Sequence, residues 1–394
     1  MKQGSQNADI RWLKKFNWTM FVCACLLVAV GATFIWSASY TTEDEAVLKV
    51  TRVKRQLTHA AVSIAIFLAL LSINYQRIGR FSYAVYGLAA LLLVLVLFFG
   101  PRIKGSTRWF RIAGLQVQPS ELAKVALILV LARYLMYRKN YRSFLGLIPP
   151  FLLTAVPIGL ILVEPDLGTV LIMIPVLFAM LFVAGARLKH LIPIIVFGLL
   201  VLPAMYLFCE IPSPKLKPIQ LKLLKPHQKA RIFSFINPSA DKSGAGYQVI
   251  NSLIAIGSGG IFGKGLGNGT QNRLKYLPEP HTDFIFSIIG EEWGFCGAIM
   301  VLALYAVLFL CGLNIADRTR EPFGRLIAVG GVTLLATQVF INVGMTMRMC
   351  PITGLTLPFI SYGGSSLLSS FVLLSLMINV DMRPPTVLAG EDFK

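Results

Sequence analysis

Apolar runs of about 20 residues recur along the whole chain, and this feature constrains the fold most. A helix of that length spans a bilayer core of about 30 Å. Composition agrees, because 56% of the 394 residues are hydrophobic and only 14% are charged. We predict about ten membrane helices, over residues 16–38, 57–73, 82–99, 119–136, 144–163, 167–184, 190–208, 284–312, 323–345 and 363–381.

These runs predict an all-α fold for a polytopic membrane protein. The helices are expected to form one transmembrane domain over residues 1–394, with a long extracytoplasmic loop over residues 209–282. With the N-terminus in the cytoplasm, the basic residues of several short loops fall on the cytoplasmic side, as the positive-inside rule requires. They are Arg77, Arg80, Arg133, Arg138, Lys139, Arg142, Arg187, Lys189, Arg318, Arg320 and Arg325.

The opposite loops nevertheless carry cations of their own. One of them contains Arg102, Lys104, Arg108 and Arg111. Two explanations stay open: weakly constrained loops tolerate Lys and Arg, or these cations bind an anionic ligand outside the cell. The net charge of +19 does not indicate nucleic-acid binding, because the basic residues are spread over loops on both faces of the membrane.

The glycine-rich stretch "AIGSGGIFGKGLGNG", residues 255–269, superficially suggests a phosphate-binding loop. A Walker motif would need glycine at position 258 and a hydroxyl residue at position 265, where the chain has Ser258 and Gly265. We therefore predict a hairpin or re-entrant loop, in which Lys264 is a candidate for holding an anionic group. The six cysteines form no CxxC pair, so neither a zinc site nor a disulfide framework is indicated.

Ionisable residues in or beside apolar helices are functional candidates, because a charge in hydrocarbon is costly. In "QPSELAK", Ser120 is expected to cap a helix, and Glu121 and Lys124 lie three residues apart on one face, where they can pair. In "EPDLGT", Asp166 begins a helix. Its carboxylate suits the N-terminal dipole, so capping and catalysis are both open there.

The stretch "YLPEPHTDFIFSIIGEEWG" places Asp283 at the mouth of a helix, two residues after His281. A carboxylate at a boundary between water and membrane suits acid–base chemistry. On an ideal helix Glu291 would lie about 80° around and about 12 Å further along, facing the same cavity, with Glu292 on the other side. We expect both glutamates to find basic partners on other helices.

A second irregular segment is "RMCPITGLTLPFISYGGSS". Pro351, Gly354 and Pro358 prevent a regular helix between Arg348 and residue 361. Backbone this irregular must line protein or water in a membrane protein. Arg348 is the nearby cation, and Ser365 lies in the run that opens the last helix.

Several motifs together resemble one family. They are "GSTRWFRIAGLQVQPSELAK", "EPDLGT", "NPSADKSGAGYQVINSLIAIGSGGIFGKGLGNGTQ", "LPEPHTDFIFSIIGEEWG" and "GLTLPFISYGGSS". In this order they are similar to the SEDS family (shape, elongation, division and sporulation), whose members are RodA, FtsW and SpoVE. Some segments are more similar to RodA and others to FtsW, and we favour a RodA-like member. The cellular role, elongation or division, stays open.

The resemblance implies a ten-helix glycosyltransferase that polymerises lipid II at the outer face of the bacterial cytoplasmic membrane. It also implies a class B penicillin-binding protein as the partner that crosslinks the strands. By resemblance Asp283 is the catalytic residue, and Trp109 matches another position that the family needs. The competing interpretation is a flippase that carries the lipid-linked precursor across the membrane, with Asp283 as a gating or proton-coupling residue.

The expected chemistry assigns roles to the remaining candidates. Asp283 would accept the proton of the acceptor GlcNAc 4-hydroxyl while that oxygen attacks the donor's anomeric carbon with inversion. Cations would offset the charge of the leaving prenyl pyrophosphate: Arg108, Arg111, Lys124 and Arg348. We expect the substrate site also to include Glu121, Lys264, His281 and Ser365. No cofactor is indicated, and a divalent cation (Mg or Mn) stays an option for which the sequence shows no cluster of ligands.

Overall fold

The computed structural model describes residues 16–39, 46–101, 107–112, 115–138, 140–164, 166–210, 234–235, 244–274, 276–277 and 279–383. Arg102 and Lys104 lie outside these residues, as do residues 211–233 and 236–243 of the loop over 209–282. The helices are α1 (Trp18–Ala38), α2 (Ala46–Ser72), α3 (Tyr75–Arg80), α4 (Ser82–Phe99), α5 (Pro119–Tyr137), α6 (Ile148–Val163), α7 (Leu167–Ala184), α8 (Leu188–Glu210), α9 (Ala245–Ser258), α10 (Thr270–Arg273), α11 (Ile285–Glu292), α12 (Gly294–Arg318), α13 (Pro322–Thr346) and α14 (Gly364–Met382).

Eight segments of the described chain are long and apolar enough to cross a membrane. They are Trp18–Ala38, Val50–Ser72, Ser82–Phe99, Leu145–Val163, Leu167–Ala184, Gly294–Arg318, Pro322–Thr346 and Gly364–Met382. Helix α8 adds a shorter apolar stretch, Leu188–Val201, and α5 has 19 residues but carries Glu121 and Lys124. The predicted all-α, polytopic membrane fold is confirmed.

The predicted span over residues 284–312 is wrong as one helix, because the chain breaks between α11 and α12. Gly294 has a φ of +65°, a backbone conformation that favours glycine. A side chain there would overlap the backbone of Gly263. Backbone hydrogen bonds from Phe295 to Gly260 (2.9 Å) and from Cys296 to Ile261 (3.0 Å) dock the glycine-rich loop, residues 259–269, at this break.

Helices α5, α13 and α14 form the centre of the bundle, and most of their side chains are buried. Many apolar side chains of α4, α6 and α8 are exposed instead, as lipid-facing side chains are. Small residues permit close helix approach in a membrane bundle. Gly31 of α1 is one such residue, because a Cβ there would overlap the backbone of Ile360.

Two short strands, β1 (Phe110–Ile112) and β2 (Leu115–Val117), pair antiparallel just before α5. They lie at the same end of the bundle as Asp283, which we call the Asp283 end. Ser120 does not cap α5 as predicted: the N-cap is Gln118, whose side chain makes no capping bond. The hydroxyl of Ser120 is buried inside the first turn because Pro119 already occupies a helical position.

Candidate functional site

Asp283 lies in a turn directly before α11, and its backbone is held by two polar side chains. Asn342 of α13 donates from Nδ2 to the carbonyl of Asp283 (3.1 Å) and to that of Leu355 (2.6 Å). Ser361 donates from Oγ to the carbonyl of Thr282 (2.6 Å). These bonds fix the turn against residues 347–363, which we call the broken segment.

The broken segment has no regular helix, as Pro351, Gly354 and Pro358 predict. The carboxylate of Asp283 faces it: a Cβ added to Gly354 would lie 3.5 Å from Oδ2 of Asp283. Phe359 has a φ of +65°, a conformation costly for a bulky residue that persists only where the surroundings enforce it. Tyr305 of α12 helps to enforce this conformation, because its hydroxyl donates a hydrogen bond to the carbonyl of Pro358.

A buried ion pair lies beneath the broken segment. Nζ of Lys124 is 2.8 Å from Oε1 of Glu121 and 3.3 Å from Oε1 of Gln338. The other carboxylate oxygen of Glu121, Oε2, accepts from the hydroxyl of Ser369 in α14 (2.5 Å). Gln338 in turn donates to the carbonyl of Thr356 (2.9 Å) in the broken segment. The predicted pairing of Glu121 with Lys124 is confirmed, and it joins α5, α13 and α14 to the wall that faces Asp283.

The strand pair and the α6–α7 connection form another part of the Asp283 end. Arg108 donates from Nε to the carbonyl of Glu164 (2.8 Å), and Trp109 beside it is half-buried. In β1 the backbone of Arg111 pairs with Gln116, while the side chain of Arg111 lies outside the described part. Ser365 anchors the strand pair to α14, since its hydroxyl donates to the carbonyl of Gln116 (2.8 Å).

Asp166 caps α7, so the capping interpretation of "EPDLGT" is confirmed. Its carboxylate accepts from the backbone N–H of Thr169 (3.3 Å) and from the hydroxyl of the same residue (2.9 Å). Gly168, in the first turn of α7, packs closely against the broken segment. A Cβ added to Gly168 would lie only 3.0 Å from the carbonyl oxygen of Thr353. The Glu164–Asp166 connection is thereby joined to the wall of the site.

Glu164 is a carboxylate that the sequence analysis passed over. It is only 1% exposed, and neither carboxylate oxygen has a hydrogen-bond partner in the described structure. Burial raises the pKa of its carboxyl to about 8, the charge of Asp166 adds to this rise, and Arg108 opposes it. The ordinary value is 4.5, so the folded protein keeps this group protonated near neutral pH.

We expect Glu164→Gln to stabilise the protein at alkaline pH. The folded state of the wild type binds a proton between about pH 4.5 and 8 that the unfolded state releases, so its stability falls as pH rises through that window, by about 1.4 kcal/mol per pKa unit. The variant has no such loss. Thermal unfolding in detergent should show a Tm advantage that grows from about pH 5 to about pH 8 and then levels off.

The matched control for this prediction is Asp317→Asn, because Asp317 is an exposed carboxylate on α12. Because its side chain is exposed, its loss should change the Tm little. A Glu164→Gln difference in Tm that does not change with pH would contradict the buried, proton-binding state of Glu164.

Glu291 and Glu292 bind the glycine-rich loop. Oε1 of Glu291 accepts from Nζ of Lys264 (2.7 Å) and from the backbone N–H of Thr270 (2.7 Å). Oε1 of Glu292 accepts from the hydroxyl of Ser37 in α1 (2.5 Å). Burial raises the pKa of the Glu292 carboxyl, against the effect of that hydrogen bond.

The predicted orientation of the two glutamates is therefore wrong. Both lie beside Gly269, where a Cβ would be 3.0 Å from Glu291 and 3.1 Å from Glu292. The helical projection from Asp283 failed because Asp283 precedes α11 and lies in a turn. The cation that pairs with Glu291 is Lys264, from a loop and not from another helix.

Lys264 binds an anionic group of the protein itself, the carboxylate of Glu291. Its ammonium also donates to Ser258 (2.7 Å) and to Thr270 (2.8 Å). A lysine ammonium has three donors, and these partners together with Glu291 account for them. Lys264 thus stabilises the fold of the glycine-rich loop.

His281 and Arg348 are the remaining predicted site residues. His281 lies two residues before Asp283; its carbonyl accepts from the backbone N–H of Tyr362 (2.9 Å), and the two rings have centroids 5.6 Å apart. Arg348 is exposed, with a φ of +59°. It lies near the start of the broken segment, just after the end of α13.

Ligands for a metal ion do not gather in the described part of the chain. Within those residues, no three His, Cys, Asp or Glu side chains come together in a way that could hold a metal ion. Acidic oxygen ligands are what Mg²⁺ prefers, and Asp283, Glu164 and Asp166 do not form such a set.

The sequence analysis also missed the amides that hold the site together. Gln338 and Asn342 are four residues apart on α13 and are buried, so both side chains lie on one helix face. Two amides at that spacing inside an otherwise apolar helix are a signal that was available in the sequence, because polar groups buried in a membrane need partners.

Comparison with known proteins settles the family. The sequence profile of the FtsW/RodA/SpoVE family, described as "Cell cycle protein", matches residues 17–384, nearly the whole chain. The chain belongs to the FtsW/RodA/SpoVE family. The resemblance of its motifs to SEDS proteins is thereby confirmed.

Relatives of all three kinds are found among curated proteins. FtsW of Geobacter metallireducens, named a probable peptidoglycan glycosyltransferase, is 36% identical over 388 residues, which cover 95% of this chain and 97% of the relative. Stage V sporulation protein E of Bacillus subtilis is 36% identical over 370 residues, with 92% and 95% covered. The peptidoglycan glycosyltransferase RodA of Treponema pallidum is 30% identical over 431 residues, with 95% and 99% covered.

Solved structures show the same family fold. A chain from the structure described as "Structural coordination of polymerization and crosslinking by a peptidoglycan synthase complex" has a TM-score of 0.76 and 34% identity, covering 94% of this chain and 99% of that one. The rod shape determining protein RodA of Thermus thermophilus has a TM-score of 0.67 and 30% identity, with 94% and 97% covered.

Proposed function

We propose that this protein is a peptidoglycan glycosyltransferase that polymerises lipid II into glycan strands, for cell shape or for division. The observation that carries the proposal is the placement of Asp283. Its carboxylate faces the broken segment at one end of a membrane bundle, and Asn342 and Ser361 donate to the backbone carbonyls of Asp283 and Thr282. The names of the FtsW and RodA relatives support the same activity.

Asp283 is the general base in the proposed reaction. It accepts the proton of the acceptor GlcNAc 4-hydroxyl as that oxygen forms a bond to the anomeric carbon of the donor sugar. The bond between that carbon and the phosphate oxygen breaks, the prenyl pyrophosphate leaves, and the configuration inverts. Because the backbone of Asp283 is fixed before substrate binds, little reorganisation is needed in the transition state.

Arginines at the Asp283 end are proposed to offset the charge of the leaving pyrophosphate. Arg108 lies beside Trp109 and the α6–α7 connection, and Arg348 is exposed on the broken segment. We include Arg111 in this group, as the expected chemistry does, although its side chain lies outside the described residues. Arginine suits such a role because its planar guanidinium binds phosphate oxygens with two parallel hydrogen bonds.

Lys124 and Lys264 have a different role in this proposal. Lys124 is only 1% exposed and binds Glu121 and Gln338, while Lys264 binds Glu291. We assign both lysines to holding the walls of the site. His281 and Ser365 belong to the same supporting set, through their contacts with Tyr362 and the strand pair.

The proposed location is the bacterial cytoplasmic membrane, with the Asp283 end outside the cell. The distribution of basic residues over the short loops supports this orientation. The proposed partner is a class B penicillin-binding protein. Likeness to a chain from a complex that coordinates polymerisation and crosslinking supports such a partner.

The experiment that tests the function is glycan-strand formation from purified lipid II in liposomes. The protein is assayed alone and with its penicillin-binding partner, each with Mg²⁺ and with EDTA. We expect polymer at least in the presence of the partner, and the EDTA arm tests the divalent cation. If no condition yields polymer, the polymerase proposal fails, and movement of labelled lipid II between leaflets then tests the flippase.

A further inference from the structure

Gln56 is a buried amide on α2, a helix that otherwise presents many apolar side chains to the membrane. It is only 1% exposed. Its Nε2 donates to the carbonyl of Ser361 (3.3 Å), and its Oε1 accepts from the backbone N–H of Gly363 (3.4 Å). Both halves of the amide are therefore used on the backbone of the broken segment. The contacts described for its side chain are all made to that backbone.

The segment to which Gln56 is bonded, residues 361–363, is itself bonded to the two residues before Asp283. Ser361 donates from Oγ to the carbonyl of Thr282 (2.6 Å). The backbone N–H of Tyr362 donates to the carbonyl of His281 (2.9 Å). A short chain of hydrogen bonds thus leads from α2 through residues 361–363 to the two residues before Asp283.

We infer that Gln56 is a positioning residue for Asp283: its amide fixes residues 361–363, which in turn fix the turn that presents the carboxylate. The inference rests on the proposed function, and it assigns Gln56 no contact with substrate. A buried amide is costly in a membrane unless both of its polar groups are bonded. Leucine would pack equally well at this position. The presence of an amide is therefore explained by its hydrogen bonds to the backbone of the broken segment.

Loss of the amide should act on turnover and not on substrate binding. A reacting group displaced by about 1 Å can cost about 10²-fold in rate. For Gln56→Leu we expect kcat for polymerisation to fall about 10-fold to 100-fold, while KM for lipid II changes less than about twofold. The control is Gln76→Leu, because Gln76 lies on α3 at the opposite end of the bundle, where its side chain donates to Glu321 (3.5 Å) and makes no contact with the broken segment among those described.

Gln56→Glu provides a variant whose hydrogen bonding depends on pH. A protonated carboxyl has one donor and an acceptor, so it can bond both Ser361 and Gly363, whereas the ionised form has no donor for the Ser361 carbonyl. Relative to wild type, kcat of Gln56→Glu should rise as pH falls from about 8 to about 5.5. Gln56→Leu should show no such recovery.

Other charged and titratable groups on the elements that meet here are common to the wild type and the variants. On α2 they are Arg52, Arg55 and His59; on the facing turn, His281 and Asp283; and on the broken segment, Arg348 and Tyr362. The kcat of each variant is divided by the kcat of the wild type at the same pH. Titration of these shared groups therefore changes both values and leaves their ratio unaffected.

Hydrogen exchange gives a second measurement that does not depend on activity. In Gln56→Leu the backbone amides of Tyr362 and Gly363 should exchange faster, while amides in the middle of α12 keep their wild-type protection. This result separates the two proposals: a wild type that makes no polymer contradicts the proposed function, and exchange still reports whether Gln56 holds the segment.

If Gln56→Leu folds, two outcomes would overturn the inference. One is a folded Gln56→Leu protein with the kcat and exchange of wild type. The other is a loss of kcat in Gln56→Leu with unchanged exchange at residues 362 and 363, since the effect would then not pass through the broken segment. If Gln56→Leu fails to fold, Gln56→Glu decides: a kcat ratio that is flat with pH contradicts the role of the amide.

Discussion

We expect Asp283→Asn to abolish measurable glycan-strand formation, with kcat lowered about 10²-fold to 10⁴-fold, the range that a general base contributes. The amide has nearly the same shape as the carboxylate, so the turn held by Asn342 and Ser361 persists. What is lost is the acceptor for the proton of the attacking hydroxyl. Polymerisation of labelled lipid II, followed on gels with the partner present, measures this loss directly.

Lipid II binding should be retained in that variant, because Asp283 acts on the reacting proton. Binding is measured separately, by equilibrium titration of the protein in nanodiscs. Asp317→Asn is the control, since Asp317 is an exposed carboxylate on α12 and its loss should leave polymerisation unchanged. Wild-type polymer yields from Asp283→Asn would remove Asp283 from the chemistry and favour a search among the other carboxylates of the site.

Lys124→Met should destabilise the protein by about 3–5 kcal/mol, the usual cost of removing one partner of a buried ion pair. Methionine fills a similar volume, but it leaves the carboxylate of Glu121 buried without its ammonium partner, which lies 2.8 Å away in the wild type. The same change removes the hydrogen bond to Gln338, which holds Thr356 of the broken segment. Both stability and polymerisation should therefore fall.

The double variant Glu121→Gln with Lys124→Met separates the charge from the geometry. Removing both charges together should recover much of the stability, because no unpaired charge remains buried. Thermal unfolding in detergent measures each variant, with Lys189→Met as the control at an exposed lysine near the start of α8. If Lys124→Met unfolds at the wild-type temperature, the ion pair is not a stabilising part of the bundle.

Features encoded within a few residues could be predicted from the sequence. The apolar runs fix the helices, Pro351, Gly354 and Pro358 fix the broken segment, and spacing alone brings Glu121 beside Lys124. These outcomes depend on local backbone preference and on the helical repeat, which a sequence displays directly. Local prediction still failed for the N-cap of α5. The helix begins at Pro119, so Ser120 lies inside the first turn.

By itself, the sequence determined a polytopic helical membrane protein of the FtsW/RodA/SpoVE type with Asp283 beside a broken helix. Only the tertiary structure decided what holds Asp283, because Gln56 and Ser361 are 305 positions apart in the chain. It also decided that Glu291 binds Lys264 and that Glu164 is buried with no hydrogen-bond partner for its carboxyl among the described residues. Such partners come together only when the packed helices bring distant residues into contact, and no local pattern specifies which buried polar group will meet which.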